Sequence, residues 1–350
     1  MKTRYLIEEK RQASENAMRP KQLYEEADAA LDDGDAETAF KKYRQAAKLG
    51  YPAAFGSLGF LYEFGEGVEQ DDEKTKRWYK RGMDKNDGDS FGFYAKMIET
   101  EKIIDHGELT EEETAEIFDF RKKAVKFSGL SMFHYDLGQM YRHGSGTEKN
   151  LQKAFECFEK GSESGDYRCT NVLGVMYSGG EYVDKNPAKA VELYKKAVDG
   201  GNVIAMKNLA LYYLDGDIVE KDERKVFELY KQAAQEGDID AMNTVGKMYY
   251  SGKGVSQNYN EAFEWTKKAA DEGNAWGMYN LAKMYRNGRG TSKNISKAIE
   301  LYNKAAELGN SSAMVDLGEI YRDGDGMNYL GLLYDWGHGV AEDKKLALQI

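Results

Sequence analysis

LGQMYRHGSG (137–146), LGVMYSGG (173–180), LALYYLDG (209–216), VGKMYYSGKG (245–254), LAKMYRNGRG (281–290) and LGEIYRDGDG (317–326) are one phrase written six times. The lead residues Leu137, Leu173, Leu209, Val245, Leu281 and Leu317 stand 36 positions apart. A fixed period of about 20–50 residues marks a repeat array, in which each unit is one supersecondary element that buries its apolar face only against its neighbours. Length then counts repeats rather than domains, and the 350 residues read as one elongated body.

Inside the phrase, the lead residue, the small residue after it, the apolar residue three on and the Tyr four on share one side of a helix. Met140, Met176, Met248 and Met284 hold the third place and belong to the core. Gly138, Gly174, Ala210, Gly246, Ala282 and Gly318 are small so that a paired helix can approach. Gly144, Gly180, Gly216, Gly252, Gly288 and Gly324 fall where the helix must stop, because glycine enters the left-handed region without steric cost. A second helix follows with Lys-Ala, an aromatic such as Phe158, Tyr194, Tyr230 or Tyr302, then Ala197, Ala233, Ala269 or Ala305, and ends on a further glycine. The unit is helix, turn, helix, turn.

Working outward, residues 1–19 form a charged tail or capping helix, 20–53 a shorter first helix pair, and 54–89 a recognisable repeat. Residues 90–132 are a divergent repeat with about seven extra residues, having Ile98 for the Tyr and lacking both loop glycines. Within it, 99–120 holds nine acidic residues and one Lys, and TEEE at 110–113 reads as a capping box opening the second helix. The segment is a second candidate surface beside the ordinary solvated-face reading. The regular repeats run 133–326, and a short last repeat occupies 327–350. There Leu330, Gly331, Tyr334, Gly337, Gly339 and Val340 restart the phrase 13 residues after Leu317, with a second helix missing between. Either 327–335 replaces that helix or the array is a shortened form of a longer one.

Only 3 Pro and 41% hydrophobic residues suit a helical, soluble chain. A net charge of -11 argues against a general nucleic-acid binder, which needs a basic stripe to displace counterions from phosphate. No stretch approaches the ~18 consecutive apolar residues of a membrane-spanning helix, and MKTRYLIEEKRQ lacks a signal-peptide apolar region, so a cytoplasmic location is expected. Cys157 and Cys169 are too few for a disulfide framework and read as packed thiols on adjacent helices, where one bridge would be possible. His106, His134, His143 and His338 have no metal-ligand spacing, so no metal and no cofactor are expected. GRGTSK (288–293) lacks the phosphate-loop spacing, and DKNDGDS (84–90) lacks the terminal Glu of a calcium loop and reads as a helix-to-helix turn.

The pattern A-M-x-x-L-G-x-x-Y-x-x-G-x-G-V, filled by Ala241, Met242, Val245, Gly246, Tyr249, Gly252, Gly254 and Val255, resembles the Sel-one-like repeats, relatives of tetratricopeptide repeats. The resemblance spans roughly residues 54–350. It implies an all-α fold, a right-handed superhelical solenoid of antiparallel helix pairs, acting as a non-catalytic adaptor or scaffold for other proteins.

The candidate site lies at positions the repeat does not fix. Residues two before, two after and five after each lead form a stripe along the first helix, and in related helical repeats this stripe lines the concave surface. It reads Tyr135, Gln139, Arg142; Asn171, Val175, Ser178; Lys207, Leu211, Leu214; Asn243, Lys247, Tyr250; Tyr279, Lys283, Arg286; Val315, Glu319, Arg322. Six of the eighteen are Lys or Arg and one is acidic, in a chain that is acidic overall. The expected occupant is an extended peptide, acidic or phosphorylated, with Asn and Tyr bonding its backbone and Lys or Arg its anions; the alternative is ordinary solvated surface. Two other classes stay open: an enzyme with a phosphate or sugar pocket in the groove, and a secreted binder of cell-wall fragments.

Overall fold

A computed structural model describes residues 19–322, the side chains of His106 and Arg322 excepted. The expected tail up to residue 18 and the short repeat at 327–350 lie outside the described residues. Among the described residues there are 17 helices and no strand. They fall into two compact units that divide between Lys185 and Asn186.

The first unit holds α1 (19–32), α2 (Ala36–Lys48), α3 (Ala53–Phe64), α4 (Asp72–Met83), α5 (Gly88–His106), α6 (Glu111–Phe127), α7 (Met132–His143), α8 (Leu151–Glu163) and α9 (Tyr167–Gly179). The second holds α10 (Pro187–Asp199), α11 (Val203–Asp215), α12 (Glu223–Gln235), α13 (Ile239–Ser251), α14 (Tyr259–Asp271), α15 (Ala275–Asn287), α16 (Ile295–Glu307) and α17 (Ser311–Arg322). Within each unit every helix packs on the next in the chain, which makes an all-α solenoid of consecutive helix pairs. First helices of successive repeats also touch each other, α7 with α9 and α13 with α15.

The repeated residues do what their spacing predicts. Met140, Met176, Met248 and Met284 are buried, and so are Phe158, Tyr194, Tyr302 and the alanines that face them. Each fully buried side chain of this size contributes roughly 2–3 kcal/mol relative to exposure. A side chain at Gly138 would run into the Phe158 ring, and one at Gly246 into Thr266, so the small residue sets how closely the two helices meet.

The two loop glycines act differently. Gly144 ends α7 in the left-handed conformation (φ 76°) and returns its N–H to the Met140 carbonyl at 2.9 Å. Gly146 (φ 66°) lies against the backbone of Thr114 in the first turn of α6, in the preceding repeat, and Gly254 and Gly290 meet Glu223 of α12 and Tyr259 of α14 in the same way. The second glycine is therefore where one repeat is keyed to the one before it.

Helix starts are as periodic as helix ends. Asn150, Asn186, Asp222, Asn258 and Asn294 cap the second helices, and Asp166, Asn202, Asp238 and Asn274 cap the first, each accepting a backbone N–H from the opening turn.

The divergent repeat spends its extra residues on longer helices. Here α5 has 19 residues and α6 has 17, against 12 or 13 in their neighbours α4, α7 and α8. The two family loop glycines are missing as expected, but Gly107 (φ 86°) ends α5 and donates to the Ile103 carbonyl. Thr110 and Glu113 form the expected capping box. The acidic segment is partly neutralised in place: Glu99 pairs with Arg121, Glu101 with Lys76 at 2.6 Å and Glu113 with Lys102 at 3.0 Å.

Candidate functional site

In the first unit the stripe residues of α7 are engaged by the next repeat. The Arg142 guanidinium sets its Nε 3.0 Å from both Glu181 carboxylate oxygens, and that hydrogen bonding holds the Glu181 carboxyl below its usual range. The Tyr135 hydroxyl accepts from the Gln139 amide at 3.0 Å, while its ring lies 4.5 Å beneath the Arg168 guanidinium. Arg168 is itself tied to Asp166, the cap of α9, with Nε to Oδ1 at 3.1 Å. Asn171 is buried. Each cation on this part of the row already has a carboxylate.

The second unit is mixed. Lys207 reaches Asp238 at 2.5 Å, and Asp238 also caps α13. Asn243 is buried and accepts from the Asn280 side-chain amide at 2.8 Å. Arg286 stands 3.5 Å from Glu319. Lys247 and Lys283 differ, because no carboxylate among the described residues lies within ion-pair distance of either. Lys247 is exposed, and Lys283 sits 5.2 Å over the Tyr279 ring. The exposed Trp276 meets Tyr279 edge-on at 5.8 Å. Tyr250 meets Tyr259 edge-on at 5.2 Å, and the Arg289 guanidinium covers both rings while donating to the Tyr250 hydroxyl. The side chain of Arg322 is outside the description. Leu211, Leu214 and Val315 are exposed apolar stripe residues, and Val175 and Ser178 are half-buried.

Arg289, Tyr259 and Trp276 were not part of the expected stripe. A signal for Arg289 exists once the period is used with an offset. Arg142 and Glu181 are 39 apart, and so are Tyr250 and Arg289, which places the middle residue of one repeat's glycine loop against the end of the previous first helix. Chemically, an aromatic shelf with cations held at its rings suits anionic groups, since the rings pre-position the charge without neutralising it.

Of the other candidate groups, His134 and Cys157 are half-buried and Cys169 is buried. Burial lowers the His134 pKa and lifts the Cys157 thiol to about 11, and both cysteines are free. Among the described residues no His, Cys, Asp and Glu group is arranged to hold a metal ion, and no helix is long and apolar enough to cross a membrane.

Helix pairs repeated on a 36-residue period, keyed by loop glycines and leaving one helix face variable, define a helical-repeat protein. The chain belongs to the Sel1 repeat family, whose model matches residues 57–87, 131–166, 169–202, 203–238, 239–274, 277–310, 311–328 and 324–349. The matches at 311–328 and 324–349 overlap where the phrase restarts early, and the stretch between 87 and 131, with the lengthened α5 and α6, is unmatched.

The chain is similar to a protective antigen of uropathogenic Escherichia coli displaying an SLR fold, with 30% identity, 90% of this chain and 66% of that one covered, and a TM-score of 0.68. A Sel1 repeat protein from Oxalobacter formigenes shares the fold at 23% identity and TM-score 0.61, covering 85% of this chain and 89% of that one. Among curated proteins, the chitin synthase regulator SKT5 of Saccharomyces cerevisiae is 28% identical over 141 residues, 40% of this chain and 19% of the regulator. The chain thus spans under two thirds of the antigen and about a fifth of the yeast regulator.

Proposed function

We propose that this protein is a non-catalytic protein-interaction scaffold that holds an acidic or phosphorylated segment of a partner on the first-helix face of its second unit. Lys247 and Lys283 are the anion-binding residues, with Tyr250, Tyr279 and Arg289 as the shelf. The observation that carries this reading is that these two lysines keep free charge while Arg142, Lys207 and Arg286 have carboxylate partners. Within their own units, those three and Asn243 tie one repeat to the next, and Gln139 and Asn171 belong to the same stripe as Arg142. Membership of a family whose repeats commonly serve as interaction scaffolds supports the general class. The reading places the scaffold in the cytoplasm, where Cys157 and Cys169 stay reduced.

The test is affinity capture from native extract by the wild-type chain, by Lys247→Glu/Lys283→Glu, and by Lys196→Glu/Lys268→Glu, which makes the same charge change on second helices. A partner held by the wild type and the control but lost by the first variant supports the site. Equal retention by all three removes it.

A further inference from the structure

We propose that a cavity among the first helices of the first unit is a socket for one arginine side chain of a partner protein, presented on a segment with apolar neighbours. The cavity has a volume of about 180 Å³ and is lined by Leu31 of α1, Tyr43 of α2, Ser57 and Phe60 of α3, Asp89 and Phe93 of α5, and Leu130 before α7. A cavity of about 150 Å³ admits one benzene ring, so this one takes a single side chain and not a folded element.

Two features of the lining select the occupant. Phe60 and Phe93 stand with ring centroids 5.9 Å apart, and the exposed Leu130 sits among the lining residues. These are apolar surfaces on which a planar cation stacks. The polar side is acidic: one oxygen of Asp89 accepts from the Ser128 hydroxyl, and the other accepts no hydrogen bond among the described residues. Asp89 is the acidic lining residue; Asp28 and Asp87 stand outside the lining, Asp28 behind the lining Tyr43 whose hydroxyl it accepts from and Asp87 two residues before Asp89. Asp28 is bonded by Tyr43 at 2.5 Å and Asp87 by Ser90, and none of the three has a Lys or Arg partner among the described residues. Burial raises the pKa of all three, as it does for carboxylates without a compensating cation.

An anionic side chain would be repelled there, and a purely apolar one would strip water from Asp89 without replacing it. A guanidinium satisfies both walls at once, with its face on the phenyl rings and its edge on the carboxylate. An ammonium is more strongly hydrated and has no planar face, so lysine fits less well. This socket has the opposite charge preference to the lysine and tyrosine shelf of the second unit and does not rest on that reading.

The experiment is calorimetric titration of the full chain with the capped peptide acetyl-Gly-Leu-Arg-Leu-Gly-amide and with versions carrying Lys, Glu or the neutral isostere citrulline in place of Arg. The expected result is saturable binding of the Arg peptide, several-fold weaker binding of the Lys peptide, and at least about tenfold weaker binding of the citrulline and Glu peptides. Asp89→Asn lowers affinity for the Arg peptide about tenfold. Leu130→Arg, which leaves Asp89 and its Ser128 contact in place, plugs the mouth and lowers it similarly. Far-UV circular dichroism verifies that both variants fold. Lys247→Glu/Lys283→Glu binds the Arg peptide like the wild type, which separates this site from the other. Equal affinity for the Arg and citrulline peptides, unchanged affinity in both pocket variants, or no saturable binding of the Arg peptide overturns the proposal.

Discussion

At Gly146 and Gly165 the same residue type answers two different demands. Both have positive φ, but a Cβ at Gly146 would overlap the backbone of Thr114 whereas Gly165 faces open space. Gly165→Ala is therefore expected to cost roughly 1–2 kcal/mol, the strain of a left-handed alanine, and Gly146→Ala more, because α6 must also shift. Urea midpoints of the two variants decide it, and equal losses would remove the keying role given to the second loop glycine. Asp87 makes a second residue-scale prediction. It caps α5 from a buried position, and burial lifts its carboxyl to about 6 in spite of the Ser90 hydrogen bonds. In the unfolded chain it titrates at about 3.9, so the native state holds the proton more tightly and stability falls as pH rises from about 4 to about 6. Asn caps a helix as well as Asp and does not titrate. Asp87→Asn should thus gain roughly 2–3 kcal/mol over the wild type at pH 7 and lose that advantage by about pH 4. Parallel melting curves for the two proteins across this range would refute the account.

Among the elements, helix starts carry information that the repeated phrase hides. The glycine stops and the buried Met, aromatic and Ala positions were legible because packing calls for the same kind of residue at the same place in most repeats. The Asn and Asp caps at 36-residue intervals were equally visible in the sequence, yet they lie outside the apolar pattern and emerge only with the structure. Asp238 shows why this matters to the site, since the cap of α13 also reaches back to Lys207 of the preceding first helix. Asp238→Ala should cost about 1–2 kcal/mol through the lost cap, and Lys207→Met under about 1 kcal/mol. A double-mutant cycle reads their coupling directly, and additivity within error would mean that the pair is incidental. The pairing of the stripe's charges was not visible in the sequence for this reason: the counter-ions stand 31, 33 and 39 residues away, on a cap, the first helix and a loop of the following repeat. One residue alone, such as Lys283, gives no hint from sequence that it stays unpaired.

For the whole molecule, stability in such an array is close to a sum of repeat and nearest-neighbour terms. Removing residues 203–238 takes out α11 and α12 and joins Asn202, itself a first-helix cap, to α13. That chain should fold with an unchanged helix signature and a smaller urea slope, whereas removing 203–220 strands α12 without its partner and should lose cooperative unfolding. Indistinguishable transitions for the two deletions would contradict the nearest-neighbour picture. Fold class was legible at this scale from one number, the period. The cavity lined by Phe60 and Phe93 was not, because its lining comes from helices that no single repeat contains. The direct contact of α13 with α15 has a further consequence for whatever lies along them. Neighbouring helix axes in contact are about 10 Å apart, and an extended chain advances about 3.3 Å per residue. A strand-like ligand of the kind proposed above, crossing that row, would move from Lys247 to Lys283 in about three of its own residues, so the 36-residue rhythm of the protein would become a three-residue rhythm in such a ligand.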